Sequence, residues 1–277
     1  MKKKFLSRQA KLKLDLEIRH RINAGRVAIK DQILFFRRHF GQVSSDWKTD
    51  ASRVTFADIA ISENLFASLN KDFSDDDYCS EEMSSKDVPL ELKGDFAWVI
   101  DPIDGTNNFA LGFPLCGISL GLLYNGFPVY GFVYDFSVNS LFEGGPDFGL
   151  MKDQQKYPTL KEDREAQQIM GVQFPIEPNL FQKLTPIFSE MKIRSLGSST
   201  LLGSLSAQGY LAGVIDVRAK VWDIAATHAL AEAVDNEFHF FDESPFPLKE
   251  FHPSMPKCPY YTGSKEFCRK IESLLAY

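Results

Sequence analysis

Apolar residues recur at helical spacing from the first part of the chain onward. Between positions 9 and 40, Leu14, Ile18, Ile22, Ile29, Ile33, Phe36 and Phe40 stand among charged residues, the stripe expected of a surface helix with one buried face. A long N-terminal helix is therefore predicted. After a polar segment at 42–48, Phe56, Ile59, Ile61, Leu65 and Phe66 predict a second amphipathic helix over 55–69. The chain then turns acidic and serine-rich at 72–82, a pattern that reads as a solvated loop.

The period changes at Phe96-Ala97-Trp98-Val99-Ile100, an uninterrupted apolar run of the kind a fully buried strand needs. Two more apolar runs, 116–123 and 128–134, flank Tyr124-Asn125-Gly126-Phe127, and Asn-Gly in that setting predicts a hairpin. Residues 145–165 are polar and contain Gly-Pro and Tyr-Pro, so the boundary between an N-terminal half (1–150) and a C-terminal half (151–277) is placed there. In the second half, a strand is expected at 168–172 and a helix at 180–191. A helix of small and apolar residues follows at 200–212, ending near Gly213. A short strand at 214–217 and a helix from Trp222-Asp223 to Ala233 complete the pattern. Strands interleaved with helices in both halves predict a layered α/β architecture rather than a bundle or a β-sandwich.

Composition narrows the partners. The chain has 277 residues, of which 44% are hydrophobic and 25% charged, ordinary for a globular protein with a sizeable core. A net charge of −6 argues against nucleic acid or an anionic membrane surface as the main partner and leaves a small molecule as the default. Cys79, Cys116, Cys258 and Cys268 show no C-x-x-C spacing, and Cys116 lies in an apolar run, so buried reduced thiols and a cytoplasmic location are expected. The basic start is followed by Arg8, Lys11, Lys13 and Asp15 where a signal peptide needs an apolar core. No stretch reaches the ~18 apolar residues of a membrane span.

The candidate chemistry lies at the end of the buried strand, in Asp101-Pro102-Ile103-Asp104-Gly105-Thr106. Asp-Pro and Asp-Gly are ordinary turn dipeptides. Here, however, two carboxylates follow a buried strand and precede Gly105-Thr106-Asn107-Asn108, which can open a helical turn with free N–H groups. Hard divalent cations take oxygen ligands and several carboxylates can hold a pair, so further acids at element ends are of interest. Glu81, in Ser80-Glu81-Glu82, and Asp223, after Trp222, are the two candidates. The ordinary alternatives are a solvated acid for the first and a helix N-cap for the second.

Trp98-Val99-Ile100-Asp101-Pro102-Ile103-Asp104-Gly105-Thr106-Asn107-Asn108-Phe109 and Trp222-Asp223-Ile224-Ala225-Ala226 resemble the two signatures of the inositol monophosphatase family, lithium-sensitive and magnesium-dependent phosphatases. Glu81 falls at the family's Gly-Glu-Glu ligand, and Val54-Thr55-Phe56-Ala57-Asp58 is similar to its V-T-x-A-D stretch. The resemblance implies a layered αβαβα sandwich of the inositol monophosphatase and fructose-1,6-bisphosphatase type. It further implies roughly two or three Mg²⁺ ions, with Mn²⁺ as a substitute, held by Glu81, Asp101, the carbonyl of Ile103, Asp104 and Asp223. On the same resemblance, the expected nucleophile is water activated by metal, its proton taken with the help of Thr106, Glu81 and Asp58, with the N–H groups of Gly105 and Thr106 expected to bind phosphate. The chain departs from the family at Ser80, where glycine is usual, and at Ala233-Val234-Asp235-Asn236, where E-A-G-G is usual. Neither change removes a proposed ligand, and Asp and Asn tolerate the left-handed backbone such a turn needs. His228 is expected to be a packed or solvated helix residue rather than a base.

The resemblance implies a phosphomonoester substrate, inositol monophosphate or a related sugar phosphate, and a homodimer. Asp216 corresponds to an acid that contacts substrate hydroxyls, Ser198 and Ser199 to small substrate-contacting residues, and Asp223 lies beside both metal and substrate. Arg218 and Lys220 resemble members that also hydrolyse fructose 1,6-bisphosphate, with surface solvation as the alternative. Adenosine 3′,5′-bisphosphate and histidinol phosphate are further substrates of the wider group. A metal-binding member that has lost turnover is a reading from another class, opposed by the retention of all four ligating acids together with Thr106 and Asp58. A role in binding RNA polymerase or RNA lacks a basic face.

Overall fold

The computed structural model describes residues 8–44, 46–47, 53–83, 88–158 and 168–276. The basic start at 1–4 and part of the polar stretches at 42–48 and 145–165 lie outside the described residues. In chain order, α1 (Arg8–His39) leads to a small ribbon, β1 (Asp46–Trp47) and β2 (Arg53–Val54), and then to α2 (Phe56–Asn70). β3 (Asp77–Ser80), β4 (Leu90–Glu91) and β5 (Phe96–Asp104) precede the short α3 (Thr106–Leu111). β6 (Gly117–Tyr124), β7 (Phe127–Asp135), β8 (Ser140–Gly145), β9 (Gly149–Lys152) and β10 (Gln155–Lys156) follow. Then come β11 (Ile169–Gln173), α4 (Pro178–Glu190), β12 (Lys192–Arg194), α5 (Ser199–Ala207), β13 (Gly213–Asp216) and α6 (Val221–Glu232). β14 (Glu237–Phe240), β15 (Glu250–Phe251), β16 (Tyr260–Gly263) and α7 (Lys265–Leu275) close the chain.

Two sheets and three helical layers alternate. The first sheet has the order β10-β9-β8-β7-β6-β5-β3, antiparallel except where β3 runs parallel to β5. Its strands β5 to β8 bury both faces. Phe96, Trp98 and Ile100 of β5 pack with Ile22, Ile29 and Phe36 of α1 and Ile61 and Leu65 of α2, while Ala97 and Val99 point the other way, to Val221, Ile224 and Ala225 of α6. The second sheet, β12-β11-β13-β16-β14, meets α5 through Leu202, Leu211 and Val214. On its far face Met170, Val172 and Ile215 pack against Leu184 and Ile187 of α4 and Phe267 and Ile271 of α7. The result is an αβαβα stack, with α5 and α6 enclosed between the sheets.

Several expectations are corrected. The acidic run is not all loop: Asp77–Ser80 is strand β3, paired with Ala97–Ile100. Asp72 and Asp75 stay exposed, but the charge of Asp76 is met by protein partners rather than by water. Buried Asp76 receives Arg21 through Nε and Nη2 at 2.9 and 2.7 Å and the Trp98 indole at 3.0 Å. The polar stretch after 145 contributes β9 and β10 to the first sheet. On α2, Phe56 and Ile59 are exposed and Asp58 is buried, because the helix turns its Asp58 face inward. The helix placed at 200–212 stops at Ala207, and Gly209 turns the chain at φ +80°.

Other expectations hold. Asn125 and Gly126 form the hairpin turn with φ of +49° and +78°, and Asp235 takes the left-handed backbone at +58°. All four cysteines are free and buried. His228 packs against Phe238 and Phe246, and burial lowers its pKa to about 4. Among the described residues, no helix is long and apolar enough to cross a membrane.

The enclosed helix α6 sits on notches in the sheet. A Cβ on Gly131 of β7 would lie 2.2 Å from the Ala226 carbonyl, and one on Gly121 of β6 would lie 2.7 Å from the Ala225 Cβ. No side chain fits between strand and helix at either point. Gly131→Ala is expected to lower stability by roughly 1–3 kcal/mol through overpacking, read as a reduced thermal midpoint, with α6 displaced. An unchanged midpoint would show that the helix does not rest on this notch.

Candidate active site

Asp101 and Asp104 are brought to one place by a bulge. Asp101 pairs with Ser119 and Asp104 with Gly117, with a register shift between them, so β5 carries one more residue than β6 over this span. Pro102, which cannot donate to the ladder, occupies the interruption. In a regular strand, residues three apart face opposite sides. The extra residue cancels that, and the carboxylates of Asp101, Asp104 and Asp223 lie within 4.8 Å of one another. The strand expected to end at Ile100 thus runs on to Asp104, and the two aspartates belong to it rather than to a following loop.

Gly105 then turns the chain at φ +81°, where a Cβ would stand 2.9 Å from the Leu115 carbonyl. The first residue of α3, Thr106, reaches two acceptors with its hydroxyl, the Ile103 carbonyl at 2.9 Å and Asp58 Oδ1 at 3.2 Å. It has one proton, so it donates to one of them at a time. Asp58 is held by the cap of α2: its Oδ2 accepts from the Thr55 amide at 2.8 Å and from the Thr55 hydroxyl at 2.6 Å, a capping box that uses Asp. Asp58 is 1% exposed, which excludes a solvated helix acid.

The second half of the chain supplies the other walls. Asp104 accepts hydrogen bonds from the hydroxyls of Ser198 and Thr200 and from the amides of Ser199 (3.2 Å) and Thr200 (2.9 Å). The start of α5 is therefore tied to the bulge. Asp223, in the first turn of α6, accepts from the Lys220 amide at 2.6 Å. Asp216, at the end of β13, accepts from the amides of Arg218 (2.8 Å) and Ala219 (3.0 Å) through Oδ1, while its buried Oδ2 has no hydrogen-bond partner.

Electrostatically the site is under tension. Burial, and then the charges of Glu81, Asp104, Asp223 and Asp58, push the Asp101 carboxyl well above its usual range. Asp223 is raised in the same way, by burial and then by Asp104. Asp104 is raised by burial and pulled back by its four donors. Such a group of buried like charges, offering oxygen donors only, suits a hard divalent cation.

The structure gathers Asp58, Asp101, Ile103, Asp104, Gly105, Thr106 and Asp223 at this place. Glu81 begins just past β3, where its amide donates to the Ile100 carbonyl at 3.3 Å, and its charge acts on Asp101. Burial raises the Asp216 carboxyl, and Ser199 beside it pulls it partly back, whereas the Ser198 hydroxyl is committed to Asp104. Arg218 is exposed. The Lys220 ammonium is engaged by the Met255 carbonyl and lies 5.7 Å from the Trp222 ring centre. Sequence reasoning missed Thr200 and the clamp made by Asn108, whose side-chain amide donates to the carbonyls of Leu115 (2.7 Å) and Leu196 (2.8 Å). The run Ser198-Ser199-Thr200 ahead of an apolar segment was the available sign.

The profile of the inositol monophosphatase family matches residues 18–269. The probable inositol 1-monophosphatase ImpA of Mycobacterium tuberculosis is 36% identical over 152 residues, which are 50% of this chain and 54% of that protein. Inositol monophosphatase 1 of Solanum lycopersicum is 35% identical over 97 residues, 35% of this chain and 36% of that protein. The chain thus spans about half or less of these relatives' length. Among solved structures, an IMPase/NADP phosphatase complexed with Mg²⁺ and phosphate superposes with a TM-score of 0.71, at 20% identity and with 95% of each chain covered. The layered fold expected from the motifs is the one observed.

The tension in the site is measurable without substrate. In chelator at neutral pH, Asp101→Asn is expected to raise the thermal midpoint, because it removes a carboxyl that burial and neighbouring acids make costly to ionise and keeps an acceptor for the Ile103 amide, now 3.1 Å from Asp101 Oδ1. A carboxyl whose folded pKa is raised stabilises below its unfolded value and loses that contribution as pH rises, so the gain should shrink on acidification. Asp104→Ala should lower the midpoint, through a stability loss of about 1–3 kcal/mol for each buried donor left unpaired. Equal shifts for both variants would contradict this division of roles.

Proposed function

The chain belongs to the inositol monophosphatase family, and from that premise we propose that it is a Mg²⁺-dependent phosphomonoesterase acting on inositol monophosphate or a related sugar phosphate. One observation carries the reading: three aspartates from two distant motifs converge within 4.8 Å beside a threonine hydroxyl paired to a buried carboxylate. The donor set fits the ion, since every candidate ligand is an oxygen and the carboxyls are raised by burial and then by one another's charge. Asp101, Asp104, Asp223, Glu81 and the Ile103 carbonyl would hold Mg²⁺, or Mn²⁺ in its stead. Bound there, the ion supplies Lewis acidity for water and for the phosphate ester.

The protein's own groups do the rest. Thr106 Oγ1 lies within reach of Asp58 Oδ1, so its proton is given to the carboxylate and its oxygen is free to accept from the attacking water. Glu81, next to Asp101, shares that acceptance. The amides of Gly105 and Thr106 bind phosphate oxygens at the left-handed turn. Asp216 Oδ2, buried and unpartnered, accepts from a hydroxyl of the substrate, with Ser199 beside it and Asp223 completing that wall. Ser198 acts through Asp104. The same reading carries a homodimer at work in the cytoplasm, on family likeness and reduced thiols. A catalytically silent metal-binding member would not need the Thr106–Asp58 pair.

Chelation should abolish phosphate release from myo-inositol 1-phosphate, and Mg²⁺ should restore it. Thr106→Ala should lower kcat by about 10²- to 10⁴-fold with metal affinity near wild type, and Asp58→Asn should act in the same direction. The double variant should be little worse than the poorer single one if the pair works as one relay. Full turnover in both single variants would refute the mechanism while leaving the metal site intact.

Exposed Arg218 favours a second reading, with fructose 1,6-bisphosphate as an additional substrate whose distal phosphate is met by a guanidinium. Replacing Arg218 and Lys220 with Ala should raise KM for that bisphosphate far more than for myo-inositol 1-phosphate. Equal changes would mark both as bystanders.

A further inference from the structure

A second set of metal-ligating atoms lies outside the aspartates. Glu237 and His239 alternate on β14 and so share a side of the strand, and Cys268 and Glu272 are one turn apart on α7. Ligand atoms of Glu237, His239 and Cys268 all lie within 4.8 Å of one another. His239 Nε2 is 3.3 Å from Glu237 Oε2, and Nδ1 is 3.9 Å from Glu272 Oε1. The Tyr261 ring stacks on the imidazole at 5.1 Å and 16°, which fixes its plane. The thiol faces the carbonyls of Glu237 and Gly263, each at 3.9 Å. Among the described residues, neither carboxylate is paired with a lysine or arginine. The place is rich in lone pairs and short of positive charge.

We infer that Glu237, His239 and Cys268 form a second metal site, for a thiophilic divalent cation such as Zn²⁺, with Glu272 orienting the imidazole from behind. The chemistry separates it from the aspartate cluster. Thiolate, imidazole and carboxylate together select Zn²⁺ over Mg²⁺, whereas the aspartates offer oxygen alone. Around a tetrahedral Zn²⁺ the donor atoms stand roughly 3.5 Å apart, so small side-chain rotations close the present spacing. With Nε2 on the metal, Nδ1–H points to Glu272, the carboxylate–histidine arrangement that fixes tautomer and ring. Glu237 and His239 are each about one-third exposed, at 34% and 36%, which leaves an entry from solvent.

The two sites are apart in the fold. Asp216 pairs with Tyr260 and Glu237 with Gly263, so they stand at opposite ends of β16, roughly 10 Å apart along it. Cys268 belongs to the core between the second sheet and α7, on the face away from α5. A bound ion would staple α7 to the edge strand β14. Burial, then the charges of Glu237 and Glu272, push the free thiol up to about 12. Binding releases that proton to solvent as the sulfur–metal bond forms, with Glu237 entering as carboxylate, His239 as neutral imidazole and no change of oxidation state.

Co²⁺ added to the full chain tests this, because thiolate-to-Co²⁺ charge transfer reports sulfur ligation and is silent for an all-oxygen site. Wild type should show the band. It should persist in Asp101→Asn and Asp223→Asn and vanish in Cys268→Ser. Glu272→Gln should weaken Co²⁺ binding about 10- to 100-fold, and His239→Gln should weaken it at least as much. The latter two side chains are partly exposed, so these variants keep the test valid if the buried cysteine cannot be replaced without unfolding. Absence of the band in wild type overturns the site. So does its persistence in Cys268→Ser, or its loss in Cys258→Ser, since Cys258 feels the charge of Asp223. Zn²⁺ should also raise the thermal midpoint of wild type more than that of Cys268→Ser in the presence of excess Mg²⁺.

Discussion

The carboxylate of Asp104 joins what the chain order keeps far apart. It lies at the end of β5, yet its hydrogen-bond donors come from residues 198–200, at the start of α5. Through it, the bulge that carries Asp101 is held against the helix pair that carries Asp223. A buried acid with four donors is well satisfied, and that satisfaction is what lets further acids be placed beside it. Without the anchor, the bulge that carries Asp101 would lose its tie to the start of α5.

The same arrangement sets the balance between stability and chemistry. Buried carboxylates raised by one another's charge are costly to the ion-free fold, and their tension is the property that makes the place receptive to a cation. The surrounding structure is built to resist it. α6 is pressed onto glycine notches at Gly121 and Gly131, Asn108 clamps the 196 loop to α3, and the capping box of α2 holds Asp58 in line with Thr106. Rigid elements, rather than loops, thus position almost every group of the site.

The Glu237, His239 and Cys268 cluster follows a different logic. Its donors sit at the sheet edge and on the last helix, where packing is thinner than in the enclosed α5 and α6 layer. A hard donor set on β5 of the first sheet and α6, and a soft one between β14 of the second sheet and α7, would let two kinds of cation bind without competing.

Much of this was legible in the order of residues. The apolar run at 96–100, the helical stripe of α1, the Asn125-Gly126 hairpin and the motif aspartates are local patterns, and local geometry follows from them directly. The acids at 101, 104 and 223 could be singled out because their types and neighbours demand a shared chemistry, and family likeness supplied the partners. Only the tertiary structure decided the rest. A bulge depends on two strands at once, so no periodicity announced that Asp101 and Asp104 face one side. The acidic run could enter the fold at β3 because Asp76, just before that strand, is neutralised by Arg21, 55 residues away in the chain, while Asp72 and Asp75 stay in water. Ser198 turned to Asp104 and Lys220 to Met255 because their nearest partners are remote in sequence. Glu237, His239 and Cys268 carry no motif, since their donors come from a strand and a helix that meet only once β16 has paired with β14. Spacing along a chain fixes which residues share an element, and burial against distant elements fixes what each side chain touches.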